Sequence, residues 1–310
     1  DIHNRYGAAI EEAEAGGERV VGVIFSVIAP VFVCTGVGLV WAKRGVAYEA
    51  QFITRLVTNV GFPCLIFSTL VRTEIDWSIF SAMGLAALGT TAAFGVIAAP
   101  ALRLARLELR VFLPAMMFAN TGNMGLPLCL LAFGEEGLAL AISYFTISAL
   151  LIFVFGPAIA SGKASIIEAL KTPLLWSALM ALLVMYAELP VPAWIMKTLE
   201  ILGGFAIPLM LITLGFSLAE LRLTSLPRGF GLSVLRLIMG FGVGWGTAAL
   251  FGLEGAMRGI IIIESTMPVA ALNYLYAQMY DARPADVAGV IVVSTVISFA
   301  TLPALLWFVL

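Results

Sequence analysis

The feature that most narrows what this chain can become is a succession of apolar runs, each near the length of a bilayer-crossing helix and joined by brief polar connections. The runs cover 20–42, 52–71, 79–101, 111–133, 138–160, 173–187, 194–218, 230–251, 259–279 and 287–310. Hydrocarbon offers the backbone no hydrogen-bonding partners, so a spanning chain forms helices or a closed barrel, and runs of this length select helices. The sixth is short, and an earlier start within 166–171 would lengthen it. Only 12% of the residues are charged and 61% are hydrophobic, where a soluble domain carries about a quarter charged residues. The expected class is therefore an all-α polytopic membrane protein with ten transmembrane helices and no soluble domain. Cys34, Cys64 and Cys129 all fall inside apolar runs, with no spacing that suggests a disulfide framework or a metal site, so they read as small core residues. The single His3 lies in a polar N-terminal tail, and no basic patch points to nucleic acid. The acidic stretch before the first run (Glu11, Glu12, Glu14, Glu18) is unlike the positive start of a cleaved signal peptide.

The fourth run carries a conflict. Within it stand Phe118-Ala119-Asn120-Thr121-Gly122-Asn123-Met124-Gly125-Leu126-Pro127-Leu128, polar and flexible where a lipid-facing helix would hold Leu and Val. Pro127 lacks a backbone donor, and Gly122 and Gly125 loosen the helix before it. Pro127 also suits the first position of a new half-helix, whose free N–H groups would carry partial positive charge toward the membrane centre. Two readings stand at this point: a site for an anion, or a kinked packing helix whose polar atoms are satisfied internally. The ninth run repeats the pattern in Glu264-Ser265-Thr266-Met267-Pro268, followed by Asn273. Here a half-helix is expected to restart at Pro268 with Ser265 or Thr266 near its cap.

A carboxylate near the bilayer centre is costly, so Glu264 is expected to face a cavity or a partner. With Ser265 it is a candidate coupling site for H⁺ or Na⁺; the competing reading is a fixed ion pair with a basic residue such as Arg236, or a cap for the ninth run. Asn59 and Asn273 are candidates that could equally serve as interhelical hydrogen bonds. Asp76 and Glu74 are expected at the outer surface, and Arg55 and Arg236 near the cytoplasmic ends of their helices. Gly240, Gly242, Gly244 and Gly246 read as close helix packing.

Loop charge sets the orientation. With the N-terminus outside, the cytoplasmic side carries Lys43, Arg44, Arg55, Arg103, Arg106, Arg110, Lys163, Lys171, Arg222, Arg228, Arg236 and Arg283, twelve basic residues against five outside (Arg5, Arg19, Arg72, Lys197, Arg258). Both termini are expected outside. The halves also repeat: Pro30 matches Pro173 and Pro63 matches Pro208, at offsets of 143 and 145. Ser148, Phe153 and Pro157 match Ser294, Phe299 and Pro303 at 146, and Asn120-Thr121 aligns with Glu264-Ser265 at 144. Five helices per unit make the second unit enter from the opposite side, so residues 1–160 and 161–310 are expected to form two inverted five-helix repeats with broken, crossing helices 4 and 9. That arrangement is characteristic of alternating-access transporters.

The stretch Asn120 to Leu128 resembles the fourth-helix signature of the auxin efflux carrier family, bacterial transporters related to plant PIN-type auxin carriers. Glu264-Ser265-Thr266-Met267-Pro268, with Ser294-Thr295 and Thr301-Leu302-Pro303, is similar to the C-terminal half of that family. The resemblance implies scaffold helices at about 20–71 and 173–218, transport-domain helices at about 79–160 and 230–310, and a scaffold-mediated homodimer in a bacterial inner membrane. By position, it implies that Asn120 and the backbone from Gly122 to Pro127 bind a carboxylate, with Met267 and Pro268 opposite. Thr121, Asn123, Met124, Asn273 and Asn59 complete the expected substrate site. The expected function is secondary transport of a small organic anion such as a small carboxylate, coupled to H⁺ or Na⁺, with no cofactor beyond that ion and no enzymatic activity. Alternatives are a membrane ligand sensor that does not transport and a potential-driven auxin-like exporter. An intramembrane enzyme lacks a nucleophile–base pair here.

Overall fold

A computed structural model describes residues 17–73, 76–161, 172–220 and 226–310. Expectations that involved His3, Arg5, the acidic N-terminal stretch, Glu74, Lys163, Lys171, Arg222 and an earlier start of the sixth run lie outside the described residues, as does the side chain of Arg19. Among the described residues the regular secondary structure is helical, apart from one isolated antiparallel bridge between Ala119 and Val269. The helices are α1 (Gly17–Lys43), α2 (Ala50–Leu56), α3 (Phe62–Thr73), α4 (Trp77–Leu104), α5 (Leu109–Met117), α6 (Leu126–Ser161), α7 (Pro173–Tyr186), α8 (Ala193–Gly204), α9 (Ala206–Glu220), α10 (Leu226–Leu250), α11 (Gly255–Thr266), α12 (Leu272–Met279) and α13 (Pro284–Val309). Seven helical stretches among them are long and apolar enough to cross a membrane. The protein is a multi-pass membrane protein, and large apolar side chains such as Phe25, Val96, Ile201 and Leu250 cover its outside rather than its core.

Every apolar run is mainly helical, but several boundaries carry information the runs did not. In α6 the fourth and fifth runs are joined, and Gly134, at φ 68° and ψ −157°, bends the chain between 126–133 and 135–161. Two π-helical turns, Val57–Gly61 and Thr121–Gly125, each end two residues before a proline (Pro63 and Pro127). A proline ring would strike the carbonyl four residues earlier, and widening the preceding turn removes that clash. The wide turns are thus written into the sequence by the prolines that follow them.

Close packing rests on small residues. At Gly38 in α1 a Cβ would lie 1.9 Å from the Ile212 carbonyl oxygen, and at Gly215 in α9 one would lie 1.8 Å from that of Thr35. The two backbones therefore touch along α1 and α9. Gly61 faces Phe205 and Ala206, and Gly203 faces the backbone of Leu65, in a second reciprocal contact. Gly240 and Gly244 seat α10 against α11 as anticipated, whereas Gly242 and Gly246 have nothing within 4 Å. Half of that glycine series packs, at a spacing of one helical turn.

Candidate functional site

Helix α5 stops at Met117, and the chain runs extended through Phe118 (φ −106°, ψ 108°) to Asn120 before the π turn begins at Thr121. Helix α11 stops at Thr266, and Met267 (φ −56°, ψ 148°) opens a second non-helical stretch that ends where α12 begins at Leu272. The two gaps pair with each other. The Asn120 N–H donates to the Pro268 carbonyl at 2.7 Å, and the Ala270 N–H donates to the Phe118 carbonyl at 3.1 Å. Buried backbone without a helical partner must find another, and each break supplies the other's. The Val269 N–H donates to Ser294 Oγ at 3.2 Å, so α13 also holds the crossing.

The anticipated restart at Pro268 is overturned. Pro268 sits inside the paired segment, Thr266 Oγ1 donates back to the Ile262 carbonyl at 2.6 Å and so closes the first half-helix, and Ala271 precedes the second. Pro127 likewise is not where the helix restarts: the turn from Thr121 comes first, and Pro127 is the second residue of α6. The Thr121, Gly122 and Asn123 N–H groups precede the first bond of that turn, the Met124 and Gly125 N–H groups having taken the Asn120 carbonyl at 3.3 and 3.2 Å.

Asn120, Thr121, Gly122, Met124, Pro127, Met267, Pro268, Asn273, Glu264 and Ser265 are all buried, and Asn123 is half-buried. Asn120 Nδ2 has no hydrogen-bond partner. Asn273 Nδ2 donates to the Ala270 and Phe118 carbonyls at 3.0 and 3.3 Å, which makes it a brace for the crossing, and its Oδ1 is unpartnered. Phe62 and Phe145, with ring centroids 4.9 Å apart, close over Gly122, where a Cβ would come within 2.8 Å of the Phe145 ring. Met124 Sδ receives the Ser298 hydroxyl at 3.9 Å. Asn59 is not among this group: it lies exposed on the first π turn. Asp76 is exposed and caps α4, accepting the Ser78 N–H at 2.7 Å, a bond that holds its carboxyl below the usual carboxylate range.

Glu264 reaches from α11 to the other break. A Cβ at Gly125 would lie 2.2 Å from its Oε2, and Cys129 Sγ lies 3.7 Å from its Oε1 as a weak donor. Oε2 has no partner. The next residue, Ser265, meets Tyr144 OH at 3.2 Å, and Tyr144 OH meets Thr90 Oγ1 at 2.7 Å, forming a buried hydroxyl chain from α11 through α6 to α4.

Arg236 stands where the sequence did not put it. Instead of sitting at a cytoplasmic helix end it is fully buried, its Nη1 donates to the Ser265 carbonyl at 3.1 Å, and its guanidinium lies 4.4 Å over the Phe94 ring. The anticipated alternative of a Glu264–Arg236 ion pair is not formed: Arg236 turns to a backbone carbonyl, and its Nε and Nη2 have no partner. The site thus holds one buried carboxyl, one buried guanidinium and several hydroxyl and amide groups around a double helix break, with Arg55 left exposed elsewhere.

The model of a family described as membrane transport protein matches residues 23–163 and 156–307. An uncharacterized transporter of Methanothermobacter thermautotrophicus is 30% identical over 272 residues, covering 84% of this chain and 88% of that protein. An uncharacterized transporter of Methanocaldococcus jannaschii is 28% identical over 203 residues, covering 62% of this chain and just under two thirds (65%) of that protein.

Proposed function

The chain belongs to the membrane transport protein family, the auxin efflux carrier family that its motifs resemble, and from that premise we propose that it is a secondary transporter of small carboxylates working by alternating access. The observation that carries this reading is the pairing of the two interrupted helices through Asn120–Pro268 and Ala270–Phe118, beside an unpartnered Asn120 amide. The anion docks at that crossing, where Asn120 Nδ2, the Asn123 amide, the Thr121 hydroxyl and the N–H groups that start the π turn supply donors without a formal charge. The chain is organised as ten spans in two inverted five-helix repeats, a reading supported by the offsets of 143 to 146 between matching residues. Eleven basic residues against five, with Arg236 now counted out, favour both termini outside a prokaryotic cytoplasmic membrane.

Glu264 binds the coupling ion. It is the one buried carboxylate among the described residues, it is unpaired, and it touches the opposite break at Gly125. Thr90, Cys129, Tyr144, Arg236, Glu264 and Ser265 all fall within 79–160 and 230–310, the proposed transport domain, so the polar cluster moves as one piece past the scaffold. Counterflow into proteoliposomes with a panel of mono- and dicarboxylates tests the function. Asn120→Ala is expected to lower counterflow at least tenfold with unchanged protein yield, and unchanged counterflow would remove Asn120 from the site.

A further inference from the structure

Arg236 and Glu264 are the two fully buried charged side chains among the described residues, and they do not pair with each other. Building on the transporter reading above, we propose that Arg236 is the fixed cation of the crossing, standing at the carbonyl end of α11 in the position a sodium ion would otherwise take, so that this carrier moves its anion without sodium.

The carbonyl end of a half-helix inside a membrane is a place for positive charge. Its last carbonyls have no intrahelical donors, the helix dipole is negative there, and interrupted helices of transporters use such ends to coordinate a coupling cation. In α11 the Glu264 carbonyl accepts only a long bond of 3.4 Å from the Met267 N–H, and the Ser265 carbonyl accepts the Arg236 guanidinium. The approach depends on Gly240, where a Cβ would lie 2.4 Å from the Ser265 carbonyl oxygen and 2.8 Å from Arg236 Nη1. On its other side the guanidinium rests on the face of Phe94, a further site for a cation. The guanidinium is therefore held by a backbone oxygen and an aromatic ring, ligands suited to a cation.

Among the described residues no acid pairs with it. The Glu264 carboxylate lies instead against Gly125 and Cys129, and the Ser265 and Tyr144 hydroxyls meet each other beside it. The carbonyl end of α5 is finished differently: the Phe118 carbonyl takes two neutral donors, the Ala270 N–H and Asn273 Nδ2. Of the two carbonyl ends, only that of α11 receives a charged donor. A guanidinium stays protonated and cannot leave, and its presence opposes a second cation at the same carbonyl. With Nε and Nη2 unpartnered, it also leaves donors for an incoming carboxylate. Glu264 is then left as the group that takes the coupling ion, and that ion is a proton.

The test is counterflow of an active carboxylate into proteoliposomes of the wild-type protein, with sodium chloride replaced on both sides by choline chloride at constant pH. Rates within twofold of each other are expected; a tenfold loss that returns with added sodium overturns the proposal. Arg236→Met, which fills a similar volume without charge, is expected to stay folded and lose at least tenfold in counterflow, with Arg236→Lys recovering part of it in choline. Wild-type counterflow by a folded Arg236→Met variant overturns the proposal, and if that variant does not fold the sodium replacement decides alone. Absence of counterflow for every carboxylate in both salts would instead sink the transporter reading, and this inference with it.

Discussion

A carboxyl group in the interior of a membrane protein survives only where its neighbours make room for it, and Glu264 gets that room from a missing side chain at Gly125. Its one hydrogen bond is from a thiol, a weak donor. A carboxyl held so lightly can take up and release a proton as its surroundings change, whereas one locked in a bidentate pair with a cation stays ionised. Glu264→Gln keeps the shape and removes the titration. It is expected to retain carboxylate counterflow, which needs no net proton movement, and to lose accumulation driven by an imposed pH gradient; accumulation at the wild-type level would exclude Glu264 from coupling. Glu264 was legible in the sequence because a carboxylate deep within an apolar run has few bland explanations. Arg236 was not, because a basic residue seven positions into the run 230–251 looks like one that extends to the membrane surface. Its depth is set by how α10 packs on α11 through Gly240 and Gly244, a tertiary fact that no local pattern expresses.

At the level of elements, the prolines announced both breaks and misled about their edges. Proline at the first helical turn is a sound local preference, yet in the ninth run it lost to backbone pairing. Asn120 and Phe118 recruit Pro268 and Ala270, so the chain stays non-helical from Met267 until Ala271 turns it into α12. In the fourth run the proline acts backwards along the chain, widening the turn from Thr121 to Gly125 ahead of it. If that wide turn is what presents Thr121, Gly122 and Asn123 to the anion, relieving its cause should damage function more than stability. Pro127→Ala restores an N–H and removes the ring clash, a change that favours regular helix. The expected outcome is an unchanged or higher melting temperature with at least a tenfold drop in counterflow. A variant that both melts earlier and transports normally would show the turn to be a packing feature only.

For the whole molecule, the ten runs were legible from hydropathy, but which helices travel together was not, because that depends on contacts between residues far apart in sequence. Two ion pairs bear on it. Arg72, at the end of α3, pairs with Glu135 beside the bend at Gly134 in α6, and lies 3.9 Å from Glu200 in α8. Exposed pairs of this kind are worth about 0–1 kcal/mol, so this contact is too weak to hold the fold, yet it ties a proposed scaffold helix to a proposed transport helix. Tyr48 OH, by contrast, meets Thr213 Oγ1 at 2.6 Å, and both residues fall within the proposed scaffold. The two contacts make opposite predictions for a rigid body sliding past a fixed one. On a background with Cys34, Cys64 and Cys129 replaced by Ala, a short thiol cross-linker between Arg72→Cys and Glu135→Cys is expected to stop counterflow. Reductive cleavage of the linker is expected to restore it, because the proposed alternating access moves α6 past α3. The same linker between Tyr48→Cys and Thr213→Cys is expected to leave counterflow within twofold of the uncross-linked protein. If both cross-links were harmless, the boundary between the moving and fixed parts would have to lie elsewhere. If both blocked transport, α1 to α3 and α7 to α9 could not be one rigid unit, even with the glycine contacts that bind α1 to α9 and α3 to α8.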